Sequence, residues 1–300
     1  MKTARAIATG LPLGRQPSTS AQDALARPPL GASHVGVPDF VAPSLRNWIS
    51  DALDTSRNYQ IGHGGPHLAD EVGLRLQMQP VRDPSLGGYH YALVGAPQQD
   101  LLLIIDTMLE VWANPWGLPT SELASILDSA NMAYEYDRRT RRLVRRQDAA
   151  EHANTDQAIH DADEDTADLL RRAREAMTRL IPDPDSAYFN AVRAVESAAW
   201  AAICPTSSRP NLGTVWSALT QDFKAATPKW QLRFVDANDV PRDVEALAAM
   251  VGLLKDGHRS RHPGPGWRNQ TLEEALVAVS LATTLVTIFS TGGVHPRTAP

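Results

Sequence analysis

Cysteine is nearly absent: Cys204 is alone in 300 residues, which excludes an internal disulfide framework and fits a reducing compartment. It stands between an apolar run and Pro205, where a buried structural thiol is expected rather than a nucleophile. A dominant sign of charge is also missing. The formal net charge is only −5, so no global field draws nucleic acid in, and any such site must be local. Acids are absent before Asp23, and residues 1–35, rich in Ala, Pro, Ser and Gly, lack the apolar core of a secretory signal. They read as a disordered tail. No apolar run has spanning length either. Residues 275–294 carry no charge, but their apolar part is fifteen residues long and includes Ser280, Thr283, Thr284 and Thr287. A span needs about 20 mainly apolar residues, so a buried or dimer-forming helix is expected, with no membrane and a cytoplasmic location.

What is present is helical periodicity, broken in one place. Phe40, Leu45, Trp48, Ile49 and Leu53 mark a first helix, residues 62–67 a loop, and residues 67–77 a short helix. Residues 80–97 read as irregular. Leu101, Ile104, Ile105, Met108, Leu109 and Trp112 predict a helix over 100–113, and Thr120 caps another to about 131. Then β-forming segments flank a polar turn, a hairpin over 133–146. It holds six arginines in nine residues: Arg138, Arg139, Arg141, Arg142, Arg145 and Arg146. Helix, turn, helix, hairpin is the order of a winged helix, and the arginines suit a phosphate-contacting wing. The preferred reading is a hairpin packed on the acidic helix that follows, because the seven acids between Glu151 and Asp168 would neutralise such a wing. That helix reads as continuous to Ala176. The domain boundary is placed near 150: residues 1–35 a tail, 36–150 a small helical domain carrying the hairpin, 151–292 a helical bundle, and 293–300 a tail.

In the second half, Tyr188, Val192, Val195, Ala199, Ala202 and Ile203 form an apolar stripe with Glu196 inside it. An inward carboxylate needs a partner. Arg259, Arg261 and His262 are the candidates for one, and Arg193 or Lys224 give a purely structural alternative. Further helices start at Asn211, near Asp243 and at Thr271. The helix that begins near Asp243 should run to about His262, because Pro263 disfavours helical geometry there. That places His258, Arg259, Arg261 and His262 at a helix C-terminus, which favours cations. A guanidinium beside a titratable imidazole suits binding or cleaving a phosphodiester. Neither the His63/His67 pair nor the His258/His262 pair has a third ligand at suitable spacing, so no metal and no cofactor are expected.

Residues 186–197 resemble the helix of HEPN domains (higher eukaryote and prokaryote nucleotide-binding) that carries a Glu-Ser pair, here Glu196-Ser197. Asn211-Leu212-Gly213-Thr214-Val215 and Arg261-His262-Pro263-Gly264 are similar to two further elements of a bacterial branch of that family, related to abortive-infection proteins. Residues 123–146 are similar to its amino-terminal stretch, so the likeness covers most of 36–292. It implies a mainly α protein with a C-terminal antiparallel four- or five-helix bundle, and a homodimer formed through the C-terminal helices. It also implies RNA or nucleotide as partner, in phage defence, and metal-independent endoribonuclease chemistry. His262 would be the acid or base, Arg261 or Arg259 the clamp on the phosphorane, and Glu196 the orienting group. The family's signature has an arginine four to six residues before its histidine. None stands there before His258 or His262, so cleavage, non-catalytic RNA or nucleotide binding and a dimeric interaction scaffold all stay open.

Overall fold

The computed structural model describes residues 34–63, 67–81, 88–112, 117–206, 211–235, 242–258 and 268–297. The chain is mainly helical, with eleven α-helices and two short two-stranded ribbons among the described residues. It buries its apolar side chains in two clusters.

The first cluster gathers α1 (Ala42–His63), α2 (Leu68–Arg75), α3 (His90–Val94), α4 (Leu101–Val111) and α5 (Thr120–Ser129). On α1, Leu45, Trp48, Ile49, Ala52 and Leu53 repeat at helical spacing and are buried. Each large side chain among them contributes roughly 1.5–3 kcal/mol. The Trp48 Nε1–H donates to the Pro119 carbonyl at 2.9 Å, fixing the start of α5 on α1. A hairpin closes this half, with β1 (Tyr134–Asp137) antiparallel to β2 (Arg142–Arg145) in the register Asp137 opposite Arg142.

The second cluster contains α6 (Ala149–Asp161), α7 (Glu164–Thr178), α8 (Pro184–Ile203), α9 (Leu212–Phe223), α10 (Glu245–Asp256) and α11 (Leu272–Ser290). Small residues on α8 (Ala187, Ala191, Ala194, Ala198) are buried, and α7 and α11 make its principal packing contacts. Among the described residues, α11 alone is long and apolar enough to cross a membrane. Ala275, Ala278, Ala282, Leu285, Val286 and Phe289 are nevertheless buried inside the protein. The two halves meet where β2 bridges residue 179 through Val144 and where Leu180 packs on the first cluster.

Several expectations are corrected. The acidic helix is not continuous. Ala162 is extended, and Asp163 starts a new helix by accepting the Thr166 N–H at 3.0 Å. Residues 80–97 hold α3 rather than only loop. The 293–300 tail includes a strand, β4 (Val294–Pro296), paired antiparallel with β3 (Trp230–Leu232). His34, assigned to the first tail, pairs with Met132. The helix that begins near Asp243 stops at Asp256, six residues before His262. There the Tyr188 hydroxyl donates to the Leu254 carbonyl at 2.9 Å, satisfying one of the acceptors that a helix end leaves open. Gly257 makes the approach possible, since a Cβ at that position would lie 2.2 Å from the Tyr188 hydroxyl.

Candidate functional site

The hairpin turn is set by Asp137. Its carboxylate accepts the Arg139 N–H at 2.9 Å and the Thr140 hydroxyl at 2.7 Å, and the Arg141 N–H reaches the Asp137 carbonyl at 2.8 Å. Burial pushes the Asp137 carboxyl up, but the Thr140 and backbone hydrogen bonds outweigh it and hold it below its ordinary range. Arg141 takes a left-handed φ of 57°, which closes the turn.

The base of the hairpin is clamped onto α4. Asp106, 2% exposed, takes Arg142 in a two-pronged grip at 3.0 and 2.5 Å and also accepts the Leu143 N–H at 2.8 Å. Hydrogen bonding to Asp106 raises the Arg142 pKa. A fork matched to a carboxylate is among the strongest side-chain pairings. Arg142 also approaches Glu110 at 3.0 Å. Arg146, counted above among the phosphate-contacting set, is engaged elsewhere. It binds Asp128 and the Met132 carbonyl, with Glu135 at 3.6 Å.

The other side of the hairpin borders a cleft of about 890 Å³, walled opposite by α6 and α7. Arg138, Arg139, Arg141, Arg142 and Arg145 line it from the hairpin, Arg174 and Arg179 from α7 and its end. Against these seven guanidinium groups stand five carboxylates: Glu110, Glu135, Asp137, Asp156 and Glu175. Some of the charge is cancelled across the cleft. Arg139 meets Glu175 at 2.6 Å, and Arg174 binds Asp156. Burial raises the Asp156 carboxyl, yet Arg174 and then His152 outweigh it and bring it below its ordinary value. Arg138, Arg145 and Arg179 are exposed and have no carboxylate at ion-pair distance among the described residues. Tyr136, whose phenol is pushed up by burial against the opposing pull of Arg141 and Arg138, adds one aromatic ring to the lining.

Arg259, Arg261 and His262 lie outside the described residues. His258 is half-buried just past α10, stacked on Tyr188 with ring centroids 5.1 Å apart and an interplanar angle of 17°, and 6.4 Å from the Phe189 ring. Glu196, 9% exposed, accepts the Leu212 N–H at 2.9 Å and has Arg193 at 3.8 Å. A carboxylate on the first amide of α9 offsets the positive end of that helix. Eight residues along α8 separate Glu196 from Tyr188, on the order of 12 Å of helix axis. Among the described residues, no group of three His, Cys, Asp or Glu side chains is placed to hold a metal ion.

Sequence reasoning found five of the cleft arginines and missed Arg174, Arg179 and Tyr136, which arrive through tertiary packing. It also missed Asp106, although that residue is the sole charge between Leu101 and Leu109 and thus marks a buried acid in need of a cation. Comparison of the chain with protein-family models, curated proteins and solved structures finds no match to any of them.

Proposed function

We propose that this chain is an RNA- or nucleotide-binding protein that contacts phosphate through the cleft between the β1–β2 hairpin and α6–α7. The observation that carries this is the convergence of three exposed arginines without ion-pair partners among the described residues, Arg138, Arg145 and Arg179, in one cavity. Guanidinium groups already matched to carboxylates, such as Arg142, supply the walls, whereas these three have capacity left for an anion. In this reading α4, α5 and the hairpin are a winged accessory unit. Helices α7 to α11 form a HEPN-like antiparallel bundle that dimerises through its last helices, as in the abortive-infection proteins that the sequence resembles.

The test is binding of single-stranded RNA to the full chain across a salt series. Replacing Arg138, Arg145 and Arg179 together by Ala should weaken binding and flatten the log–log salt dependence, since each single-strand phosphate contact contributes about 0.7. Absence of RNA and nucleotide binding, with a stable dimer in solution, would leave the interaction scaffold. Cleavage at His262 is the second reading, carried by the sequence resemblance, and both flanks of residues 259–267 are fastened. Tyr188 holds Leu254, Asp185 accepts the Gln270 N–H at 2.9 Å, and the Gln270 side chain donates to the Gly257 carbonyl at 3.3 Å. RNA hydrolysis in the presence of a chelator, abolished by His262→Ala, would establish it.

A further inference from the structure

From the shape and charge of the cleft we infer that its ligand is a terminal phosphomonoester carried by a nucleotide, not the interior of a nucleic-acid strand. This rests on the phosphate-binding reading above and narrows it. Three features point the same way. First, about 890 Å³ falls within the roughly 300–1,000 Å³ usual for small-molecule sites. Grooves that track a single strand extend over about 4–16 nucleotides for each binding fold.

Second, a strand needs successive stacking surfaces, and the lining offers two rings, Tyr136 and His152. Two rings suit a nucleotide rather than a run of bases.

Third, the field is concentrated and bounded by negative charge. Arg138, Arg145 and Arg179 are the lining arginines left with no carboxylate at ion-pair distance among the described residues, so a ligand that concentrates negative charge in one place matches them. A terminal phosphate carries about −1.5 to −2 near neutral pH. The carboxylates in the lining, Glu110, Glu135, Asp137, Asp156 and Glu175, stand around this cationic group, and further phosphodiesters brought against them would be repelled. Arg138 and Arg145 approach from the hairpin and Arg179 from the end of α7, so a group with three free oxygens can be gripped from both halves of the molecule.

The chemistry is shared by two sources, a free nucleoside monophosphate and the phosphorylated end of an RNA, and one experiment separates them. Fluorescence anisotropy on the full chain would compare a short single-stranded RNA bearing a terminal phosphate with the same strand ending in hydroxyls. Nucleoside monophosphate would serve as competitor. The phosphorylated strand should bind at least about tenfold more tightly. Competition by the mononucleotide identifies the free nucleotide as ligand, and failure to compete identifies the strand end. Arg138→Ala and Arg179→Ala should each remove most of the phosphate preference. Arg172→Ala, on α7 outside the cleft, should leave it unchanged and reports on general electrostatics. Equal affinity for the two strands would overturn this inference while leaving the phosphate-binding reading intact. Binding of none of the three probes would overturn both.

Discussion

Arg142 and Arg145 stand three residues apart on the same strand, yet their surroundings treat them in opposite ways. Arg142 is gripped by a carboxylate that is 2% exposed, with Glu110 beside it, and its backbone neighbour Leu143 shares the same acid. Arg145 is exposed and has no carboxylate at ion-pair distance among the described residues. The contrast holds for the whole hairpin. Arg142 and Arg146 fasten it to the first apolar cluster, while Arg138, Arg145 and, from the other half, Arg179 present their charge to the cleft. An arginine-rich stretch therefore performs two tasks at once, and residue type alone does not say which arginine does which.

The largest expected effect comes from breaking the fastened side. Arg142→Ala leaves the buried Asp106 without its counter-charge, which costs about 3–5 kcal/mol and should appear as a clear drop in the urea midpoint. Asp106→Ala removes the charge together with the acceptor for the Leu143 N–H. Arg142 then retains Glu110 at 3.0 Å, so the loss should be smaller, about 3 kcal/mol. If Arg142→Ala proved as mild as Arg145→Ala, the division of the hairpin into two sides would be wrong.

Glu196 offers a second contrast, between a buried acid that anchors structure and one that serves chemistry. As the acceptor for the first amide of α9, it should cost about 1–3 kcal/mol when replaced by Ala, and Glu196→Gln should recover part of that. A merely capping role predicts that Glu196→Gln leaves any RNA cleavage rate unchanged. A steep loss of rate at unchanged stability would instead restore the orienting role inferred from sequence.

How far the sequence spoke can be judged on these residues. The apolar stripes at 45–53, 101–109 and 188–203 repeat every three to four positions, so their helices were legible from local spacing. Glu196 stood out as a charge inside a stripe, but its partner, the Leu212 N–H sixteen residues on, is set by how α8 and α9 pack. The end of α10 at Asp256 was hidden for a similar reason. The local signal was Pro263, whereas the actual stop coincides with a tyrosine hydroxyl arriving from α8 at Leu254. The cleft required Arg174, Arg179 and Tyr136 to be brought beside the hairpin, which no spacing rule encodes.

A smaller effect is expected from acid. Asp137 and Asp156 both line the cleft, and both carboxyls are held below their ordinary values. A depressed carboxyl stabilises the folded chain fully above the unfolded-state pKa of about 3.9, and the contribution disappears as pH falls through the lower folded value. The difference in urea midpoint between the parent chain and Asp156→Asn should therefore close as pH falls below about 4. A difference that persisted unchanged in that acid range would mean that the Arg174 pairing contributes nothing through charge.

The smallest stability effect should come from the residues on which the binding proposal depends. Arg138→Ala, Arg145→Ala and Arg179→Ala remove exposed side chains with no carboxylate partner among the described residues, and surface changes of this kind usually stay within about 0.5 kcal/mol. Removing a cation from a cleft crowded with like charge also relieves repulsion, so a slight stabilisation is the expected sign. The same substitutions should produce the largest losses in phosphate binding. A group kept solvated beside other cations gains little from the folded state and much from an anion that neutralises them. Should the three variants unfold the chain at lower urea by more than about 1 kcal/mol, these arginines would be structural, and the two sides of the hairpin would no longer differ in kind.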